Sequence, residues 1–170
     1  MPKQHFNLST ARLTLKPFTA TDADDTYQQI TPTLTRFMSW EPPETRQDFD
    51  QIWQRWLEQI KNGEELICVI RKNENQEFLG IVGFHHVQSN TPEIGIWIRE
   101  DRHGLGFGPE AVRTLVTWAS KKFNIQHFIY PVAIENMASR KIAESLGGIA
   151  QYVEQQPKYK AVTYFIPSKI

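Results

Sequence analysis

The chain contains a single cysteine, Cys68, among 170 residues. An internal disulfide is therefore excluded, and with it the small cross-linked folds of secreted proteins. Cys68 lies in the apolar run Leu66–Ile70, which reads as a buried structural thiol. A nucleophilic cysteine needs an accessible, electropositive setting. No apolar run approaches the ~20 residues that span a bilayer. The first ten residues, MPKQHFNLST, lack the apolar core of a signal peptide, so a cytoplasmic protein without a membrane partner is expected. An excess of one charge is also missing: 19 Lys and Arg match 19 Asp and Glu. The global field then offers no pull toward nucleic acid or anionic lipid. Metal-ligand spacing is absent as well. His85 and His86 are adjacent, adjacent strand residues point to opposite faces, and no third ligand clusters with them, so no metal is expected. Repeats, low-complexity segments and linkers are lacking. One domain over residues 9–167 suits this length.

What is present is a regular alternation of strand and helix patterns. Residues 10–18 alternate, with Leu13 and Leu15 on one face, and predict a half-buried strand ending near Pro17. The acidic cluster at 21–25 opens a short helix to about Ile30, interrupted by Pro32. A helical turn and a loop follow over 33–43. From Glu44 or Thr45, the residues Phe49, Ile52, Trp53, Trp56, Leu57 and Ile60 recur at three- and four-residue steps. They predict an amphipathic helix stopped by Asn62-Gly63, with both tryptophans in the core. Strands are predicted at 66–70, 78–87 and 93–99. Gly80 and Gly83 inside the second imply bulges or a close backbone approach. Helices at about 109–122 and 136–146 flank a strand at 126–133, and strands at 149–153 and 160–166 close the chain. This order describes one mixed α/β layer fold.

The most informative stretch is PEIGIWIREDRHGLGFGPEAVRTLVTWASKK, residues 92–122. An apolar strand runs into a loop with three alternate glycines, Gly104, Gly106 and Gly108, and then into a helix. Glycines leave backbone N–H groups open to close approach, and a helix N-terminus adds unpaired donors and partial positive charge. That combination holds anions, phosphate above all. A Walker loop is excluded because Pro109-Glu110 follows the last glycine instead of Lys-Ser/Thr. A dinucleotide fingerprint is excluded because the spacing is GxGxG, with Pro109 where a third glycine would fall.

A third pattern fits. His103-Gly104-Leu105-Gly106-Phe107-Gly108 resembles the strand-to-helix signature of the GCN5-related N-acetyltransferases, with His103 in place of Gln or Arg. Other segments resemble the branch that acetylates ribosomal-protein N-termini. They are Thr10-Ala11-Arg12-Leu13-Thr14-Leu15, then Glu93-Ile94-Gly95, then Glu110-Ala111, then Asn136 and Ser139 with Leu146-Gly147. Together they span about residues 9 to 166. The resemblance implies that family's fold: a mixed, mostly antiparallel sheet of about six or seven strands flanked by about four helices. It implies acetyl-CoA as cosubstrate, and acetyl transfer to a primary amine by direct attack in a ternary complex. The acceptor would be a protein N-terminus or a small amine, and a homodimer is possible.

The resemblance also assigns residues. Glu93 is the candidate base, with water chains or other acids as alternatives. An ammonium must lose a proton before it attacks a thioester, and a carboxylate within reach can take it. The acid that protonates the leaving thiolate is usually a tyrosine, at the position of Ala143 here, so Ser139 is the substitute; it either donates a proton or only hydrogen-bonds the sulfur. Ile96, Trp97 and Ile98 lie where family members splay the central strand, leaving backbone groups for the pantetheine arm and an N–H for the oxyanion. The loop N–H groups from His103 through Gly104, Leu105, Gly106, Phe107 and Gly108 would bind the pyrophosphate. Pro109 suits the first helical position, and Glu110 reads as structural. Arg102 and His103 are either cationic contacts or exposed loop residues. Asn136 combines helix cap and pantetheine contact, and Arg140 is either a phosphate contact or a solvated arginine. Phe37, Trp40, Glu41 and His85 are candidates for the acceptor wall. Two rival readings remain. One is a non-catalytic acyl-CoA-binding or regulatory domain, suggested by the missing tyrosine and by His103. The other is a nucleotide-binding switch.

Overall fold

The computed structural model describes residues 6–169. Among them one sheet of eight strands runs in the order β1-β2-β3-β4-β5-β6-β8-β7. The strands are β1 (Leu8–Ser9), β2 (Leu13–Pro17), β3 (Glu65–Lys72), β4 (Phe78–His85), β5 (Glu93–Ile98), β6 (His127–Ala133), β7 (Ile149–Gln155) and β8 (Lys160–Pro167). The helices are α1 (Ala23–Gln28), α2 (Pro32–Thr35), α3 (Arg46–Lys61), α4 (Phe107–Lys122) and α5 (Met137–Ser145). All neighbouring strands are antiparallel except β5 and β6. The expected mixed, mostly antiparallel sheet is therefore present, with one strand and one helix more than expected.

The extra strand, β1, pairs Leu8 with Leu15 and Ser9 with Thr14. The residues between form a tight turn in which the Thr10 hydroxyl accepts from the Leu13 N–H at 2.9 Å. The additional helix is α2. Pro32 starts this helix as well as ending α1, because Thr31 caps it by accepting from the Leu34 N–H at 3.1 Å. Proline is well placed there, where its missing N–H would have no partner anyway. Helix α4 begins two residues before its predicted start. Gly106 stands at its N-cap in the left-handed conformation, φ +81°, which turns the chain straight into the helix. Pro109 is thus the third helical residue and not the first, still inside the turn whose N–H groups need no intrahelical acceptor.

The sheet separates two cores. On one face, Leu13, Leu15, Leu66, Cys68 and Ile70 pack with Val112, Leu115, Val116 and Ala119 of α4. On the other, Phe18, Ile67, Val69, Ile81 and Trp97 pack against Phe49, with Trp53, Trp56 and Leu57 of α3 around them. The unbroken apolar run in β3 divides alternately between these cores, as a strand covered on both faces must. Cys68 is fully buried, and burial pushes its thiol pKa upward, so it is structural as expected. Gly80 also meets expectation: a Cβ there would lie 2.1 Å from the Trp97 carbonyl oxygen.

The turn between β1 and β2 grips the entry to α4. Arg12 donates from Nε to Glu110 Oε1 at 2.8 Å and from Nη1 to the Leu105 carbonyl at 3.0 Å. Its guanidinium lies 4.6 Å from the centre of the Phe107 ring. Thr10 donates to the other Glu110 oxygen at 2.5 Å. Burial raises the Glu110 pKa, but the bonds from Thr10 and Arg12 outweigh it and leave the carboxyl below its usual range. Glu110 is structural, as read from the sequence, but it serves as an anchor as well as a first-turn acid.

Two predictions follow from these contacts. Gly80→Ala should lower stability by roughly 2 kcal/mol or more through backbone overlap. Gly104→Ala, with φ +79° but nothing within 4 Å, should cost only about 1 kcal/mol; denaturant midpoints compare the two. Glu110→Gln should cost about 1 kcal/mol, since its partner Arg12 is half exposed. Because the folded carboxyl has the lower pKa, the wild-type advantage is complete above the unfolded value of ~4.3. It should vanish as pH falls through the folded value, which thermal unfolding at neutral and acid pH will read.

Candidate active site

β5 and β6 part almost where they meet. Their parallel pairing comprises one register position, Glu93 with Ile129, although β5 stays paired with β4 from Glu93 to Ile98. The two strands thus open into a wedge beyond Glu93. A cavity lies on either side of the wedge, and Ile96, Trp97, Asn136 and Ser139 line both. Glu93 and Ile96–Ile98, the residues singled out on this strand, therefore stand at and beyond the parting.

The smaller cavity, about 570 Å³, is bounded by Ile98, Arg102, His103, Gly104, Gly106, Phe107 and Gly108. The N–H groups of Gly104, Leu105, Gly106, Phe107 and Gly108 make no hydrogen bond among the described residues. These donors at a helix N-terminus fit a pyrophosphate. The two candidate cations here are otherwise engaged. Arg102 donates two hydrogen bonds to Glu77, from Nε at 2.8 Å and from Nη2 at 2.9 Å, an interaction that holds the Glu77 carboxyl below its usual range. His103 donates from Nε2 to the Ile98 carbonyl at 2.6 Å, pinning the loop to the end of β5. The Leu105 side chain is exposed and outside the cavity lining; its carbonyl is the atom that Arg12 holds. Arg140 lines neither cavity, since its guanidinium donates to the Tyr164 hydroxyl and to the Ile134 carbonyl, both at 3.0 Å. Its guanidinium is thus held by protein partners instead of being free in solvent.

Asn136 caps α5, accepting from the Ser139 N–H at 3.2 Å, as its place in the sequence predicted. Ser139 thereby stands at the wedge with its Oγ 2.6 Å from the Tyr130 hydroxyl. Tyr130 is buried, and burial raises its pKa to about 12 against the opposing effect of that hydrogen bond. It therefore stays protonated near neutral pH. Sequence reasoning assigned Tyr130 only to a strand. The signal that could have found it is its place in FIYPV, where every second residue, Phe128, Tyr130 and Val132, is buried.

The larger cavity, about 730 Å³, lies on the α3 side. Phe37, Trp40, Glu41, His85 and Glu93 all line it, so the structure brings together every residue proposed for the acceptor wall. Trp56 of α3 joins them, as do Tyr152, Glu154 and Tyr159 from the β7–β8 hairpin. Glu41 has a partner of its own. Lys158, in the turn of that hairpin, contacts the Glu41 carboxylate at 2.8 Å and donates to the carbonyls of Thr35 at 2.7 Å and Trp40 at 3.1 Å. The hairpin is thus strapped to the loop after α2. No pattern in the sequence distinguishes Lys158 from any other turn lysine. The two loops flanking the wedge are linked as well, because Thr31 donates to Glu100. Among the described residues, no three His, Cys, Asp or Glu side chains are grouped to hold a metal ion, and no helix is long and apolar enough to cross a membrane.

Comparison with known proteins agrees with this geometry. The family model for the acetyltransferase (GNAT) domain matches residues 12–149. A sequence comparison with curated proteins gives no match. Several solved structures share the fold. A ribosomal L7/L12 alpha-N-protein acetyltransferase, RimL, in complex with coenzyme A superposes with a TM-score of 0.84 at 16% identity, covering 95% of this chain and 98% of that one. An acetyltransferase from Salmonella typhimurium that modifies the N-terminal serine of the same ribosomal protein gives 0.81 at 16% identity, covering 94% and 97%. The spermidine N-acetyltransferase of Vibrio cholerae, in complex with CoA and spermine, gives 0.81 at 18% identity, covering 94% and 97%. With its loop, wedge and capped α5 in the places described, and with the family model spanning most of its length, the chain belongs to the acetyltransferase (GNAT) family and is an acyltransferase that uses acetyl-CoA.

Proposed function

We propose that the protein transfers the acetyl group of acetyl-CoA directly to a primary amine, with a peptide N-terminus as the preferred acceptor. The observation that carries this reading is the meeting of the two cavities at Ile96, Trp97, Asn136 and Ser139. One cavity suits a pyrophosphate and the other an amine, so a thioester at the wedge would face the acceptor. The likeness to acetyltransferases that modify a ribosomal protein supports the peptide. A small polyamine is the second reading, favoured by the aromatic lining of the acceptor cavity, which holds Glu93 and Glu154 and can enclose a cation.

The steps follow from ordinary chemistry. A free amine is a minority species at pH 7 when its pKa is ~8 to 10. Glu93, at the mouth of the wedge, takes the first proton directly or through water. The nitrogen then attacks the thioester carbon, and backbone N–H groups of β5 stabilise the oxyanion. The C–S bond breaks as the tetrahedral intermediate collapses. The second amine proton leaves toward the sulfur, where the Ser139 hydroxyl, backed by Tyr130, supports the departing thiolate. The extended backbone of Ile96–Ile98 would receive the pantetheine amides as an added strand.

Thiol release from acetyl-CoA, measured with Ser- and Ala-starting peptides, spermidine and free amino acids, tests the function. Turnover of a peptide is the expected result. Acetyl-CoA binding without turnover of any amine would instead mark a non-catalytic binding domain. Glu93→Gln should lower kcat/KM at neutral pH about a hundredfold and leave acetyl-CoA affinity unchanged. An unaltered pH–rate profile in that variant would remove Glu93 from the mechanism. Ser139→Ala should lower kcat about tenfold or more, whereas Arg140→Ala should leave the KM for acetyl-CoA as it was.

A further inference from the structure

We propose that Glu65 and His85 form a carboxylate–imidazole dyad that serves the acceptor amine as a proton acceptor beside Glu93. The inference rests on the acetyltransferase reading above. Three neighbouring strands carry it. Glu65 of β3 is in register with His85 of β4, and His85 with Glu93 of β5. Residues opposite one another in adjacent strands share a face, so all three side chains form one row on the acceptor side of the sheet.

The dyad is built for one tautomer. His85 Nδ1 lies 3.0 Å from Glu65 Oε2. A carboxylate can only accept, so Nδ1 carries the hydrogen and the neutral ring presents its Nε2 lone pair. Glu65 is itself fixed, because the same oxygen accepts from the His86 N–H at 3.1 Å. The ring then lies over two glycines. A Cβ on Gly83 would stand 2.6 Å from Nε2, and one on Gly95 would stand 3.4 Å away. Both glycines line the acceptor cavity, as does His85. Any larger residue at Gly83 would displace the ring. Gly83, which the sequence offered as a bulge or a close backbone approach, and Gly95 of the Glu93-Ile94-Gly95 segment make room for a side chain from the same sheet.

The chemistry balances. One N–H bond of the acceptor ammonium breaks and an Nε2–H bond forms, giving an imidazolium that the Glu65 carboxylate stabilises. The neutral nitrogen attacks the thioester carbon, its second proton goes to the leaving sulfur, and the imidazolium returns its proton to water after product release. Glu93, across from His85, holds the ammonium by its charge and receives its first proton, directly or through water, before that proton passes to Nε2. The other titratable groups around the same cavity are Glu41, Arg55, Tyr130, Tyr152, Glu154 and Tyr159.

His85→Asn is the discriminating variant, because its amide can keep the bond to Glu65 while Nε2 disappears. With acetyl-CoA and the fastest amine of the panel, kcat/KM at pH 7 should fall about tenfold or more, with the KM for acetyl-CoA unchanged. The acid limb of the pH profile should change shape. Glu65→Gln, which withdraws the charge that stabilises the imidazolium, should also lower kcat/KM while leaving the KM for acetyl-CoA unchanged. If Glu93→Gln alters the profile while His85→Asn superimposes on wild type, the dyad is overturned and the role of Glu93 stands. Nitrogen-15 NMR of the histidine rings supplies a readout independent of turnover. It should show His85 protonated at Nδ1 and bare at Nε2 near neutral pH; the opposite tautomer would overturn the proposal even in an active enzyme.

Discussion

Everything at the site depends on the parting of β5 from β6. A parallel pair in a sheet normally continues for the length of its strands. Here it is limited to one register position at Glu93 and Ile129. The pair is reinforced just before that point, where the Ile129 N–H donates to the Pro92 carbonyl and the Gln126 N–H to that of Asn90, both at 2.8 Å. The junction is therefore a hinge line with hydrogen bonds behind it and open backbone ahead. Unpaired strand edges are a liability in most folds. In this one the edge lies inside the protein, between two cavities, where an extended ligand can complete the ladder. The cap on α5 and the Ser139–Tyr130 bond sit on the far side of the wedge, so the strands that separate also define what faces what.

The loop that follows β5 is held from three directions. Arg12 grips its middle carbonyl and Glu110 at its helical end. His103 ties its start back to Ile98, and the Arg102–Glu77 pair anchors it to the β3–β4 hairpin side. Charged groups are thus spent on orienting the backbone, while the backbone N–H groups are left for the ligand. This division suits an anion site. Fixed N–H dipoles at a helix start need no reorganisation to receive charge, whereas long cationic side chains lose rotamer freedom on binding. It also gives the Thr10-x-Arg12 element a physical task. The motif precedes the loop by ninety-odd residues, yet the Glu110 that follows the glycines is its partner in space.

These contacts explain which features were legible in the sequence. Periodicity found the sheet and the long helices because burial on one or both faces leaves a trace at every second or every third-to-fourth residue. Caps were legible where the side chain acts locally, as with Asn136 for α5, while for α3 the choice between Glu44 and Thr45 falls to Thr45. Strand β1 left no such trace, since two residues cannot display a period. The start of α4 was misplaced because a left-handed glycine cap follows from backbone conformation, and the proline rule points elsewhere. Among the site residues, the glycine loop, Glu93 and Ser139 carried motif signals, while Phe37, Trp40, Glu41 and His85 were offered by position alone; all of them lie around the wedge. The partners of those residues were invisible. Arg140 with Tyr164, Arg102 with Glu77, Ser139 with Tyr130 and Lys158 with Trp40 are separated by 9 to 118 positions. Such pairings are set by topology and have no local signature.

The same distinction bears on what determines the acceptor. The anion loop is shaped by neighbouring residues and two anchors, so its form follows closely from a short stretch of sequence. The larger cavity is assembled from distant pieces: the loop after α2, the middle of α3, the four strands β3 to β6 and the β7–β8 hairpin. Lys158 closes that assembly by bonding the carbonyl of Thr35 at the end of α2 and the Trp40 carbonyl and Glu41 carboxylate of the loop after it. A change in the length of the β7–β8 hairpin would reshape the larger cavity without touching the glycine loop, whereas the loop after α2 contributes Phe37 and Met38 to both cavities. The hairpin side of the larger cavity can therefore vary while the glycine loop stays fixed, because the two cavities share only Phe37, Met38, Ile96, Trp97, Asn136 and Ser139.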